Sequence, residues 1–168
     1  MKSFKKLLLA SALLFVGSGA EALHLGIGYT SVADGRPIPG FNAGMIINKF
    51  MLSGMAAGVA TKAYYANSYT LNALYSVEFG KSWMGLIRGG IGLGGMYTKK
   101  GLLVETKEAD GADKEKTEET SMFGPSFRVS INPFSRFYCA LDYMMGLGSG
   151  AFGLGFGDTG IFALGVEI

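Results

Sequence analysis

From Leu23 onward, apolar residues recur at every second position in eight short segments, and no long apolar run interrupts them. The clearest segment sets Leu71, Ala73, Tyr75, Val77 and Phe79 against Thr70, Asn72, Leu74, Ser76 and Glu78. A period of two places these sets on opposite faces of a β-strand. The same rhythm opposes Leu23, Leu25, Ile27 and Tyr29 to His24, Gly26, Gly28 and Thr30, and Phe41, Ala43, Met45 and Ile47 to Asn42 and Gly44. It returns around Ile87–Tyr97, Phe123–Ile131, Phe137–Tyr143 and Phe162–Ile168; the third segment, within 51–62, is rich in Gly and Ala and leaves its facing open. Connectors alternate in length. Short turns are expected at Asn48-Lys49-Phe50, Gly80-Lys81-Ser82 and Asn132-Pro133-Phe134-Ser135, and longer ones at 34–40, 64–68, 99–120 and 146–157, where 152–157 reads equally as loop or as an extension of the last strand. Successive strands therefore reverse at two different surfaces. An all-β fold follows: an eight-stranded antiparallel transmembrane β-barrel with an up-and-down meander.

The first 22 residues stand outside that rhythm. Lys2, Lys5 and Lys6 form a basic start, Leu7 to Val16 an apolar stretch, and Ala20-Glu21-Ala22 a small-x-small cleavage pattern. This is the layout of a cleavable signal peptide, 1–22, ahead of one barrel domain, 23–168. The apolar stretch is about half the roughly 20 residues that a spanning helix needs. Removing Lys2, Lys5, Lys6 and Glu21 from the 15 basic and 13 acidic residues leaves 12 of each, so the exported chain is neutral. The basic balance belongs to the leader, and no nucleic-acid partner follows from it. Cys139 is the single cysteine, which excludes an intramolecular disulfide and reads as a small apolar strand residue.

Aromatic residues fall in two sets. Phe50, Phe79, Trp83, Phe134 and Phe137 flank the short turns, while Tyr29, Tyr64, Tyr65, Tyr69 and Tyr97 lie toward the long connectors. Two such belts bounding an apolar band mark the two interfaces of a membrane. A soluble sandwich or lipocalin-like barrel also alternates, but it turns polar residues outward, whereas here both faces are poor in charge. The arrangement resembles the eight-stranded bacterial outer-membrane barrels, the group that includes the OmpA transmembrane domain, OmpX and OmpW. The most specific part is the terminal strand Phe162-Ala163-Leu164-Gly165-Val166-Glu167-Ile168. In that group a terminal alternating strand is a signal for the outer-membrane assembly machinery, usually ending on an aromatic residue where this one ends on Ile168. The resemblance implies a bacterial outer-membrane location, short turns in the periplasm, long connectors outside the cell, and membrane lipid and the assembly machinery as partners.

An eight-stranded lumen is just wide enough to be filled by side chains. Glu78, Arg88, Arg128 and Asp142 are its expected charged residues, on four successive strands, with Glu78 near a turn and the others deeper. Charges in so narrow a space must pair, because an unpaired one costs several kcal/mol. Two acids and two bases balance, which gives either a static salt-bridge network or a gate whose partners exchange. Inward glycines at 26, 28, 90, 92 and 94 leave room for either.

The stretch from Lys99 to Thr120 holds five Lys and seven Asp or Glu and reads as a solvated outer loop, the expected contact surface for an extracellular ligand or host component. Its acids do not follow the EF-hand spacing and lysines interleave them, so no metal site is expected. Gly90-Ile91-Gly92-Leu93-Gly94-Gly95 fits a dinucleotide fingerprint in letters only, since a strand and not a helix follows, and no cofactor is expected. Some barrels of this class resemble lipid A deacylases or palmitoyl transferases. Here the one histidine, His24, falls at the short-turn end with no serine partner in sequence, so no catalytic residue is expected. The expected function is non-enzymatic, with outer loops in structural or binding roles. The rival is a narrow channel for small solutes or small hydrophobic molecules, as in OmpW-like barrels, and a lipid-modifying enzyme comes third.

Overall fold

The computed structural model describes residues 22–31, 37–61, 64–104, 114–134, 136–150 and 153–168. The leader expected over 1–22 lies outside them except for Ala22, as do 105–113 of the expected outer loop. Eight strands run β1 Ala22–Ser31, β2 Pro37–Ile47, β3 Phe50–Ala60, β4 Tyr64–Ser82, β5 Gly85–Val104, β6 Lys114–Phe134, β7 Phe137–Gly150 and β8 Gly153–Glu167. Each pairs antiparallel with the next, and β8 returns to β1 through pairs such as Gly26↔Gly165 and Thr30↔Ile161, closing the barrel. Closure removes every free sheet edge, which is the condition for strands to cross a bilayer.

The alternation decides what faces out. Ile27, Phe41, Leu71, Ile91, Val129, Leu141 and Leu164 are exposed on the wall, and His24, Asn42, Asn72, Ser126, Arg128 and Asp142 are buried inside. β3 resolves its open facing: Met51, Ser53, Met55 and Ala57 point inward, Phe50 and Leu52 outward. Outward residues of β4 run from Tyr69 to Phe79, ten residue steps. At about 3.3 Å per residue and a tilt of roughly 40°, this spans about 25 Å, the height of the apolar band of a membrane barrel. Tyr64 departs from the expected belt, turning inward against Ile38, Met55, Ala57, Ala66 and Ile161.

Most expected connectors are in fact strand. Tyr64–Ser68 belongs to β4, Pro37–Gly40 to β2, and 146–157 is strand up to Gly150 and again from Gly153. Prolines 37 and 39 are tolerated because the ladder between β2 and β3 begins only at Gly40, so both sit on a free flank. At the short-turn end, β4 runs on to Ser82 and the reversal falls at Trp83–Met84. A register shift between Glu78 and Gly80 inserts the extra residue, with Gly80 at φ 103°, where glycine is unstrained. β6 likewise continues to Phe134, past the expected turn at Asn132-Pro133. Asn48, at φ 53°, turns β2 into β3.

The largest correction concerns 99–120. Residues 99–104 and 114–120 extend β5 and β6 as a paired ladder, from Thr98↔Thr120 out to Val104↔Lys114. Charge density favours a loop only when like charges meet. Here Lys99 faces Glu119 at 3.0 Å on the outward face and Lys100 faces Glu118 at 3.2 Å on the inward face. Directly opposed opposite charges support a sheet.

Candidate functional site

Inside the barrel, the side chains form layers from the short-turn end to the long-connector end. The first layer is ionic. Arg88, on β5, donates from Nε to Glu78 at 3.0 Å and from Nη1 to both oxygens of Glu167, at 2.9 and 2.7 Å. Glu167 also accepts from Asn132 Nδ2 at 2.6 Å and from His24 Nε2 at 3.0 Å. Donors from three strands, β1, β5 and β6, thus converge on one carboxylate of β8 at the seam that closes the barrel. A cavity of about 650 Å³ opens beneath it, lined by Ile46, Lys49, Ser76, Glu78, Arg88 and Glu167 among others. Glu78 is 59% exposed in its side chain, so it stands at the rim and not within the lumen.

A tight aromatic step follows. The ring of His24 lies 4.9 Å from that of Tyr138, and the Arg128 guanidinium lies 5.9 Å from the Tyr138 centroid. The Tyr138 hydroxyl donates to Asn42 Oδ1 at 2.9 Å, and Asn42 donates in turn to the Gly54 carbonyl at 3.0 Å. Next to it, Arg128 Nη1 meets Asp142 Oδ2 at 3.1 Å, both side chains at most 2% exposed. Arg128 and Asp142 are direct cross-strand partners, which fixes their meeting by register. Several buried atoms in this region have no protein hydrogen-bond partner: His24 Nδ1, Ser53 Oγ, Arg128 Nε and Nη2, Ser130 Oγ, Asn132 Oδ1 and Asp142 Oδ1. Donors and acceptors are mixed among them, a set that water can satisfy and a single charged ligand cannot.

Farther along, the lumen turns apolar. Ile38, Met55, Ala57, Ala66 and Ile161 pack on one wall, and Met96, Met122 and Met144 on the wall of β5, β6 and β7. Hydroxyl pairs stand beside this collar, Ser68 with Thr98 at 3.1 Å and Ser31 with Thr159 at 3.3 Å. The collar covers the inward positions of most strands, so it is the natural barrier to ions in this lumen.

Of the four expected charged residues, the structure brings together Glu78 with Arg88 and Arg128 with Asp142, as two pairs on separate levels. Glu167 escaped sequence reasoning although its parity, opposite to Phe162, Leu164 and Val166, pointed it inward. Tyr138, Asn42 and Asn132 carried the same parity signal. Their convergence depends on barrel closure, which joins β8 to β1 across almost the whole chain.

No protein-family model matches the chain, and no curated protein matches it. Among solved structures it is similar to Ail, the attachment invasion locus protein of Yersinia pestis, at 12% identity and TM-score 0.43, over 88% of this chain and 98% of that one. The same protein in complex with the heparin analogue sucrose octasulfate gives 13% and 0.46 over 88% and 98%. Neisserial surface protein A gives 14% and 0.43, over 88% of this chain and 94% of that one. Identity this low carries over no residue and no role, and the likeness is one of barrel shape.

Proposed function

We propose that this chain is a non-enzymatic bacterial outer-membrane barrel that presents the paired extension of β4, β5 and β6 as a binding surface outside the cell. The observation that carries this reading is the extension itself. Beyond Tyr69 and Tyr97, the three strands stay in register through Tyr64↔Leu102 and Val104↔Lys114. Its described outward side chains are polar, with Tyr65 bonded to Thr117 at 3.4 Å and Lys99 to Glu119. A barrel that needed only to span the membrane gains nothing from strands this long, whereas a rigid polar platform suits recognition of an extracellular ligand or host component. The chain's short turns then face the periplasm, and membrane lipid and the assembly machinery are its partners on the way there.

The lumen supports a closed barrel better than a channel for small solutes or small hydrophobic molecules. We read Glu78, Arg88, Arg128 and Asp142 as braces and not as an exchanging gate, because Arg128 and Asp142 are both sealed beneath the apolar collar. Against catalysis, His24 is committed through Nε2 to Glu167 and through its ring to Tyr138. The test compares bacteria displaying the full chain with bacteria displaying a chain whose residues 101–119 are replaced by a tight turn. Adhesion to epithelial monolayers is expected to fall with the trimmed chain, and planar bilayers are expected to stay silent with both. Equal adhesion, or a reproducible open state that survives trimming, overturns the proposal.

A further inference from the structure

At the collar, the described inward side chains of β5, β6 and β7 include three large apolar ones, and all three are methionines; Leu86, of the same parity on β5, lies nearer the short-turn end beside Asn132. Met96 and Met122 are direct cross-strand partners. Met144, on the next strand, is 1% exposed and joins them in one contact cluster, in which the other two are each 6% exposed. Its sulfur reaches past β6 along the inner wall. A Cβ built on Gly94 would stand 2.7 Å from Met144 Sδ, so the thioether of β7 rests on β5 beside the inward position of Met96. Three methionine side chains from three adjacent strands therefore meet in one cluster of the collar.

Packing alone does not require sulfur there. The opposite wall of the same collar is built mainly from Ile38, Ile161 and alanines, with one methionine, Met55. A thioether adds what an aliphatic chain lacks, a soft, uncharged donor that hard hydrated cations ignore and that Cu(I)-like ions select. The collar is thus apolar to sodium or magnesium and ligating to a soft monovalent ion. The Ser68–Thr98 hydroxyl pair lies next to Met96 and Met122 on the long-connector side, through Thr98, which offers a polar approach.

We propose that Met96, Met122 and Met144 form a binding site for a soft monovalent metal ion of the Cu(I) and Ag(I) class. Ag(I) is the probe, because it does not change oxidation state during titration. The full chain, labelled at the methionine methyl groups and refolded in detergent micelles, is titrated with silver nitrate and followed by methyl NMR. Cys139→Ala is the background, since this outward thiol would otherwise capture silver. Saturable shifts are expected at Met96, Met122 and Met144 at one ion per barrel, with the exposed Met84, in the turn between β4 and β5, and Met145, on the outer wall, unmoved. Replacing the three by Leu, which conserves volume, is expected to abolish silver binding while the heat-dependent gel shift of the folded barrel persists. The single Met144→Leu variant, a milder change, is expected to weaken binding and remove the plateau. Absence of shifts at the three residues, equal shifts at Met84 and Met145, or silver binding undiminished in the Leu variants overturns the proposal.

Discussion

Asp142→Asn is the sharpest probe of how the lumen is held. Arg128 and Asp142 are 1% and 2% exposed in their side chains and meet at 3.1 Å. The guanidinium already lacks protein partners at Nε and Nη2, so Nη1 to Asp142 is its principal anchor, helped by the Tyr138 ring. Neutralising Asp142 leaves a buried cation uncompensated, which costs about 3–5 kcal/mol. Replacing both partners at once, as Arg128→Met with Asp142→Leu, removes the desolvation penalty together with the attraction, and is expected to be neutral or stabilising by about 1–4 kcal/mol. The assay is guanidinium unfolding of the barrel in lipid vesicles, read by Trp83, the one tryptophan, which is 92% exposed at the turn between β4 and β5. With a denaturant slope of about 4 kcal/mol per molar, the single variant lowers the midpoint by about 1 M and the double variant does not. A single variant within about 1 kcal/mol of the parent would show a lumen wet enough to solvate the charge, and the brace reading would fail. A double variant as unstable as the single would fail it equally, by showing that packing and not charge sets the cost.

Gly94→Ala places a methyl group against Met144 Sδ and Asn72 Oδ1, and overpacking is expected to cost about 1–3 kcal/mol in the same unfolding assay. If the collar is the ion barrier, Ile38→Ser combined with Ile161→Ser introduces discrete openings in planar bilayers, whereas Glu78→Gln with Arg88→Gln leaves the bilayer silent; the reverse pattern returns the barrier to the ionic layer. On the extension, the hydrogen bond from Lys99, then that from Tyr97, holds the Glu119 carboxyl below its ordinary range. The lowered value means that the contact favours the folded hairpin above the ordinary glutamate pKa and loses that effect as pH falls through the folded-state value. Carboxyl NMR titration is expected to show Glu119 rising toward the ordinary value in Lys99→Ala; an unmoved Glu119 would rule out the pairing in solution.

What the sequence carried, and what it withheld, follows from the range of each interaction. Facing is local: a side chain two residues along a strand returns to the same side, so Ile27, Leu71 and Leu164 are legible as outward and His24, Asn72 and Asp142 as inward from parity alone. Strand ends are less local, because charge and glycine suppress a strand only until a partner answers them. Lys99 and Lys100 read as loop until Glu119 and Glu118 are placed opposite, and that placement needs the register of the whole hairpin. The lumen is the least local of all. Glu167 has inward parity, yet nothing near it in sequence announces that His24, Arg88 and Asn132 will converge on it; closure of β8 onto β1 does that. The same closure explains why two balanced pairs counted along the chain fall on different levels. With a strand inclined by roughly 40°, residues at similar distances from their turns rise by a few ångströms per strand around the barrel. Both pairs are joined directly by register, but Arg128 with Asp142 is sealed, while Glu78, at the edge of the bulge, is left at the rim.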